Sequence, residues 1–295
     1  MPLSFLSALA APPAWLQQPS VSAAVAISVV FGLLYVASIY IVSAIFAAPD
    51  ASVHDRNHPH VVRQRIRGAL IATTLSLVLS ALLLRQWGHL NVAASLGLDP
   101  SRIAASVLVA AVLTATIYLG PLVLDHLDGG VEWADVRRVP VTLWSQPLAM
   151  RNYVVGPVTE ELVFRSSVVA LWVASGISST RCIFLSPLIF GLAHIHHAAS
   201  QYRDGRPLKV VMLATAFQLV YTTLFGWFAV ALFIRTKSIG GPICAHAFCN
   251  YQGLPDFSRA ERYPQYKYLI WLVFGVGLAG FIVLFEPMTR EGVFV

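Results

Sequence analysis

The chain has 295 residues, of which 57% are hydrophobic and only 12% charged, with a formal net charge of +6. Ordinary soluble domains carry about 25% charged residues, so this composition, with a mean hydropathy of +0.70, excludes disorder, collagen and coiled coil and points to a polytopic membrane protein. The basic excess comes without a basic run or interleaved aromatic patch, so no nucleic-acid partner is expected.

A spanning helix needs about 20 mostly apolar residues, with a range near 17–25. Residues 21–46 are the first such stretch. The first charged side chain is Asp50, so no basic leader precedes the stretch and it is expected to stay as an anchor. Residues 69–84 are slightly short but carry no charge, and 103–124 have full length. The stretch 154–175 is long enough yet contains Glu160, Glu161 and Arg165. Residues 210–234 and 268–285 are clear candidates, whereas 183–194 and 239–253 are shorter and are expected to be buried or partial spans. The expected fold is therefore all-α, a single multi-pass membrane domain over 1–295 with about eight transmembrane helices in one bundle. Residues 1–19 and 86–101 are too short or too polar to span and are assigned to the interface. Cys182, Cys244 and Cys249 form an odd set within or beside apolar segments, which suits packing residues and not a disulfide framework.

Eight alternating segments divide the basic residues unevenly. Loops 47–68, 125–152, 197–209 and 254–267 hold Arg56, Arg63, Arg65, Arg67, Arg137, Arg138, Arg151, Arg203, Arg206, Lys209, Arg259, Arg262 and Lys267. The opposite side holds Arg85, Arg102, Arg181, Arg235, Lys237 and Arg290. The positive-inside bias places the first set in the cytosol and both termini across the membrane.

Residues 157–165 are the least expected stretch. Each ionisable residue at a helix centre costs about 2.5–3.5 kcal/mol on insertion scales, so Glu160, Glu161 and Arg165 together cost roughly 7–10 kcal/mol. Glu161 and Arg165 are i,i+4 neighbours and can pair. Glu160 is rotated about 100° away and is the candidate for chemistry. A purely structural ion cluster explains the pair but not Glu160. His194 ends an apolar segment, while His196 and His197 run into a polar loop and read as capped or solvated helix-end residues. His246 and Asn250 share one face of a short apolar helix, and read alone they suit interhelical hydrogen bonding as well as an active site. Under the alternating topology these sites converge on one leaflet. A carboxylate with a histidine can activate water, and a His/Asn donor pair can stabilise an oxyanion.

Glu-Glu-x-x-x-Arg at 160–165, Phe-x-x-x-His at 190–194 and His-x-x-x-Asn at 246–250, in this order among apolar segments, resemble the type II CAAX prenyl endopeptidases. The resemblance covers about residues 150–256, the expected catalytic core. Residues 151–153, Gly156-Pro157, 218–227 and 246–255 look like the endoplasmic-reticulum branch of that family. The resemblance implies an intramembrane endopeptidase that removes the last three residues of farnesylated or geranylgeranylated CAAX proteins, such as small GTPases. It implies that Glu160 and His194 activate the water, that His246 and Asn250 hold the oxyanion, and that Glu161 and Arg165 support the site. His196, His197 and Cys249 are not carried over. It also implies an endoplasmic-reticulum membrane location, a site facing the cytosol, and no cofactor or metal. Two other readings stay open: a zinc protease using Glu160, His194 and His246, and a transporter or ion pathway with intramembrane charges.

Overall fold

The computed structural model describes residues 20–47, 57–130, 139, 141–143 and 145–294, and all regular structure among them is helical. The expectations for residues 1–19, Arg56, Arg137 and Arg138 lie outside the described residues. Helix α1, Val21–Ile45, starts at Ser20, whose Oγ accepts the Ala23 N–H at 3.1 Å and so caps the first turn. Helix α2, Pro59–Gln86, begins on a proline, whose missing N–H costs nothing in a first turn. It starts ten residues before the apolar stretch at 69, because the Arg and Gln residues of its first turns are good helix formers. The two helices cross closely at Gly68, where a Cβ would stand 2.5 Å from the Ser38 carbonyl oxygen. There the Ser38 hydroxyl donates to the Gly68 carbonyl at 2.9 Å.

Residues 86–101 contain the one-turn helix Val92–Ser95 and lead into α3, Pro100–Ile117. The Asp99 carboxylate accepts the Ser101 N–H at 3.0 Å at the start of α3. The apolar stretch 103–124 is not one helix. It breaks at Tyr118 and resumes as α4, Leu119–Leu127, because Pro121 has no N–H to donate and its ring clashes with the carbonyl four residues back.

Helix α5 occupies residues 147–174 and alternates between two geometries. Wider π turns at Arg151–Val155 and Leu162–Ser167 separate α-helical pieces at Pro147–Met150, Gly156–Glu161 and Val168–Ala174. The first π turn has a local cause. Pro157 cannot donate into the ladder, and the Gly156 N–H reaches back five residues to the Arg151 carbonyl. Glycine is needed there, since a Cβ would lie 2.8 Å from that same oxygen. In the second π turn the Ser167 hydroxyl donates to the Leu162 carbonyl at 3.0 Å and intrudes on the ladder.

The remaining helices are α6, Ser179–Ala193; α7, His196–Arg203; α8, Leu208–Thr236; α9, Gly240–Gln252; and α10, Lys267–Met288. Among the described residues six helical stretches are long and apolar enough to cross a membrane: Val21–Ile45, Pro59–Gln86, Val92–Ile117, Ser179–Arg203, Leu208–Thr236 and Lys267–Met288. Helices α5 and α9 are not among them, so six of the eight expected segments meet these criteria. At 1.5 Å per residue, α9 rises only about 20 Å, short of a 30 Å hydrocarbon core.

Burial explains how α5 tolerates its charges. Every residue from 163 to 172 is buried, packed into a cluster that includes Phe31, Leu84, Phe190 and Phe233. Trp172 adds a polar tie, its indole N–H donating to the Ser28 hydroxyl at 2.9 Å. Only 11% of the α10 span is buried, so its apolar side chains are left to face lipid. The charged helix is thus enclosed by protein, the setting in which intramembrane ionisable residues are found.

Candidate active site

Three helices supply the polar residues. Glu160 and Glu161 end the α-helical piece of α5 between its two π turns. His194 caps the C-terminus of α6. His246 and Asn250 lie one turn apart near the end of α9. Glu160, His194 and Asn250 line two adjoining cavities of about 180 and 380 Å³, and His246 lines the larger one.

Behind the cavities lies a buried ionic chain. The Arg165 guanidinium donates to Glu161 Oε1 at 3.0 Å, with side-chain exposures of 1% and 0%. His246 Nδ1 lies 2.7 Å from the same Glu161 oxygen. A carboxylate only accepts, so Nδ1 carries the hydrogen and His246 Nε2 is turned to the other side, 3.8 Å from Glu160 Oε2. Arg165 is also flanked by aromatic rings, 4.6 Å from the centroid of Phe190 and 5.6 Å from that of Phe225. Such contacts favour a desolvated cation. The same Phe225 ring lies 4.9 Å from the imidazole of His246.

The other two candidates are held by backbone. His194 Nδ1 donates to the Phe190 carbonyl at 2.8 Å, and its ring packs 4.6 Å from the Phe190 ring. That bond fixes the tautomer and leaves Nε2 of the neutral ring as an acceptor. The Asn250 amide donates to the Asn152 carbonyl at 2.9 Å. An amide NH₂ has a second N–H, and Asn250 is exposed to the cavities.

The structure brings Glu160, His194, His246 and Asn250 together, and places Glu161 and Arg165 behind them. Two features were not legible from spacing. Glu161 serves His246 as well as Arg165, a contact across 85 positions of sequence. Asn152 meets Asn250 through its backbone carbonyl, which leaves no mark on residue type. Cys249 lines the larger cavity beside Asn250, although the two are successive residues of a helix. His196 and His197 line the smaller cavity, closer to the site than a solvated helix end implies. Among the described residues no three His, Cys, Asp or Glu side chains are grouped so as to hold a metal ion.

Fold and site together define a polytopic membrane hydrolase whose polar residues meet inside the helical bundle. The family model "Type II CAAX prenyl endopeptidase Rce1-like" matches residues 142–252. CAAX prenyl protease 2 of Arabidopsis thaliana is 33% identical over 92% of this chain and 91% of its own length. The Homo sapiens protein of the same name is 35% identical over 79% of this chain and 74% of its own, and that of Caenorhabditis elegans 33% over 82% and 91%. The chain belongs to the CAAX prenyl protease 2 family. No solved structure is a significant match.

Proposed function

We propose that this membrane protease removes the C-terminal tripeptide of prenylated CAAX proteins by attack of an activated water. The observation that carries the proposal is the presence of Glu160, His194 and Asn250 in the walls of both cavities. A water held between Glu160 and His194 gives up a proton to one of them as its oxygen attacks the carbonyl carbon of the scissile amide. The negative oxygen that forms takes hydrogen bonds from the Asn250 amide and from the His246 side chain. Collapse breaks the C–N bond, and the stored proton passes to the leaving amine. Glu161 and Arg165 hold the imidazole in register through Nδ1. In this reading residues 150–256 are the catalytic core of a single membrane domain, and the substrates are farnesylated or geranylgeranylated proteins such as small GTPases.

The test is incubation of purified protein with a farnesylated CAAX peptide. Release of the intact tripeptide, seen by mass spectrometry, is the expected result, and its absence overturns the proposal. Turnover that survives a chelator, with metal content measured on the same active sample, separates this chemistry from a zinc site built on Glu160, His194 and His246. The location we propose is the endoplasmic-reticulum membrane, with the cavities open to the cytosol. Cysteines introduced in loops 47–68 and 197–209 are then labelled from the cytosolic side. Labelling from opposite sides rules that topology out.

A further inference from the structure

The two cavities that meet at Glu160 differ in charge. The smaller is lined by Arg65 of α2 and Arg151 of α5, and Glu160 is the one acid among its described lining residues. The larger has no Lys or Arg among its described lining residues, and Tyr221, Phe225 and Leu254 line it but not the smaller one. A chain threaded past Glu160 therefore meets a chamber with two arginines on one side and a chamber without Lys or Arg on the other.

We infer that Arg151, together with Arg65, binds the free C-terminal carboxylate of the substrate and thereby selects the bond that is cut. The inference rests on the endopeptidase reading above. In a CAAX substrate the carboxylate lies three residues beyond the scissile amide, at most about 10 Å in an extended chain. Arg151 precedes Glu160 by nine residues, roughly 13 Å of helix rise, and the reach of the arginine side chain covers the difference. A carboxylate held at Arg151 thus presents the third amide from the end to Glu160. A guanidinium suits the task because its fork matches a carboxylate with two parallel N–H···O bonds. Arg151 Nε donates to Asn152 Oδ1 at 3.0 Å, which orients the group. The same Asn152 accepts the Asn250 amide on its carbonyl. One residue therefore joins the carboxylate anchor to the oxyanion donor. Arg65 is steadied by Tyr40, its guanidinium lying 5.2 Å from the ring centroid. The larger chamber offers a carboxylate no Lys or Arg, so the difference in basic residues also orients the substrate.

The experiment compares two farnesylated peptides of one sequence, ending in a free carboxylate or in an amide, on the full-length protein. The carboxylate form is expected to have a kcat/KM about ten- to a hundredfold higher, the span of a charged hydrogen-bonded contact. Arg151→Leu should bring that ratio near one, mainly by raising KM for the carboxylate peptide. Arg65→Leu should lower it, and Arg151→Lys should leave an intermediate ratio because a point charge lacks the fork. A variant that only loosens the fold slows both peptides alike and leaves the ratio in place. Equal turnover of the two peptides by the wild type overturns the anchor and leaves the protease reading intact. So does a wild-type ratio that persists in both leucine variants. Failure of the folded wild type to cut the carboxylate peptide overturns the protease reading, and the anchor with it.

Discussion

One imidazole joins two consecutive glutamates: His246 Nδ1 donates to Glu161 at 2.7 Å, and its Nε2 lies 3.8 Å from Glu160. Successive helix residues point about 100° apart, so only a partner from another helix can meet both. The result is a single chain, Arg165–Glu161–His246–Glu160, that runs from a buried cation to the cavity wall. Residues linked in this way do not act additively when changed.

Glu160→Ala and His194→Ala each should abolish detectable turnover of a farnesylated peptide, a loss of at least 10²–10⁴-fold for a missing acid–base group. Both variants should insert and unfold thermally like the wild type, because both side chains face cavities and neither is enclosed. Near wild-type turnover in either one would remove it from the water-activating pair.

Arg165→Leu and Glu161→Gln should instead cost stability, about 3–5 kcal/mol for stranding one partner of a buried pair. Turnover should fall as well, because Glu161 also holds His246. A combined Glu161→Leu/Arg165→Leu chain removes both charges and should recover much of the stability while staying inactive. Normal unfolding of Arg165→Leu in detergent would show that the guanidinium supports nothing.

Asn250→Ala should lower kcat by about 10²–10³ while KM changes little, since an oxyanion donor acts where charge develops. If the amide served only as an interhelical tie to Asn152, the loss would be about 0.6 kcal/mol of stability with turnover intact. Cys249→Ser is the companion measurement. It lines the same cavity and should keep most activity. Single-turnover kinetics that showed a large loss in the serine variant alone would make the thiol the nucleophile.

Beyond α4 a surface cluster should respond to pH. The Asp128 carboxylate accepts from the Tyr263 hydroxyl and from Arg259 Nε at 3.0 Å and Nη2 at 2.6 Å. These donors hold it below the usual carboxylate range. A carboxyl whose folded pKa lies below its unfolded value near 3.9 adds stability above that pH and loses it as pH falls through the folded value. Asp128→Asn should therefore have a lower Tm than the wild type at pH 7. The gap should narrow in acid, and also in high salt because the group is exposed. A gap independent of pH would show that the contact acts through shape alone.

Much of this protein was legible in its residues. Apolar stretches of spanning length marked the helices, because a bilayer core demands internally bonded, apolar segments whatever their neighbours. The misplaced charges at 160, 161 and 165 and the polar pairs at 194 and 246–250 marked the site, because buried polar groups are costly enough to stand out. Tertiary structure decided the rest. The break at Tyr118 and the first π turn of α5 depend on proline ladder geometry, and the second on the Ser167 hydroxyl, neither of which hydropathy registers. That Glu161 answers to His246, and that Asn152 receives Asn250 through a carbonyl, depends on contacts 85 and 98 positions apart. The split of the site into a chamber with two arginines and one without Lys or Arg arises where α1, α2, α5, α6, α7, α8 and α9 meet. Spacing along one chain reports which side chains share a helix face, and only packing determines what that face encloses.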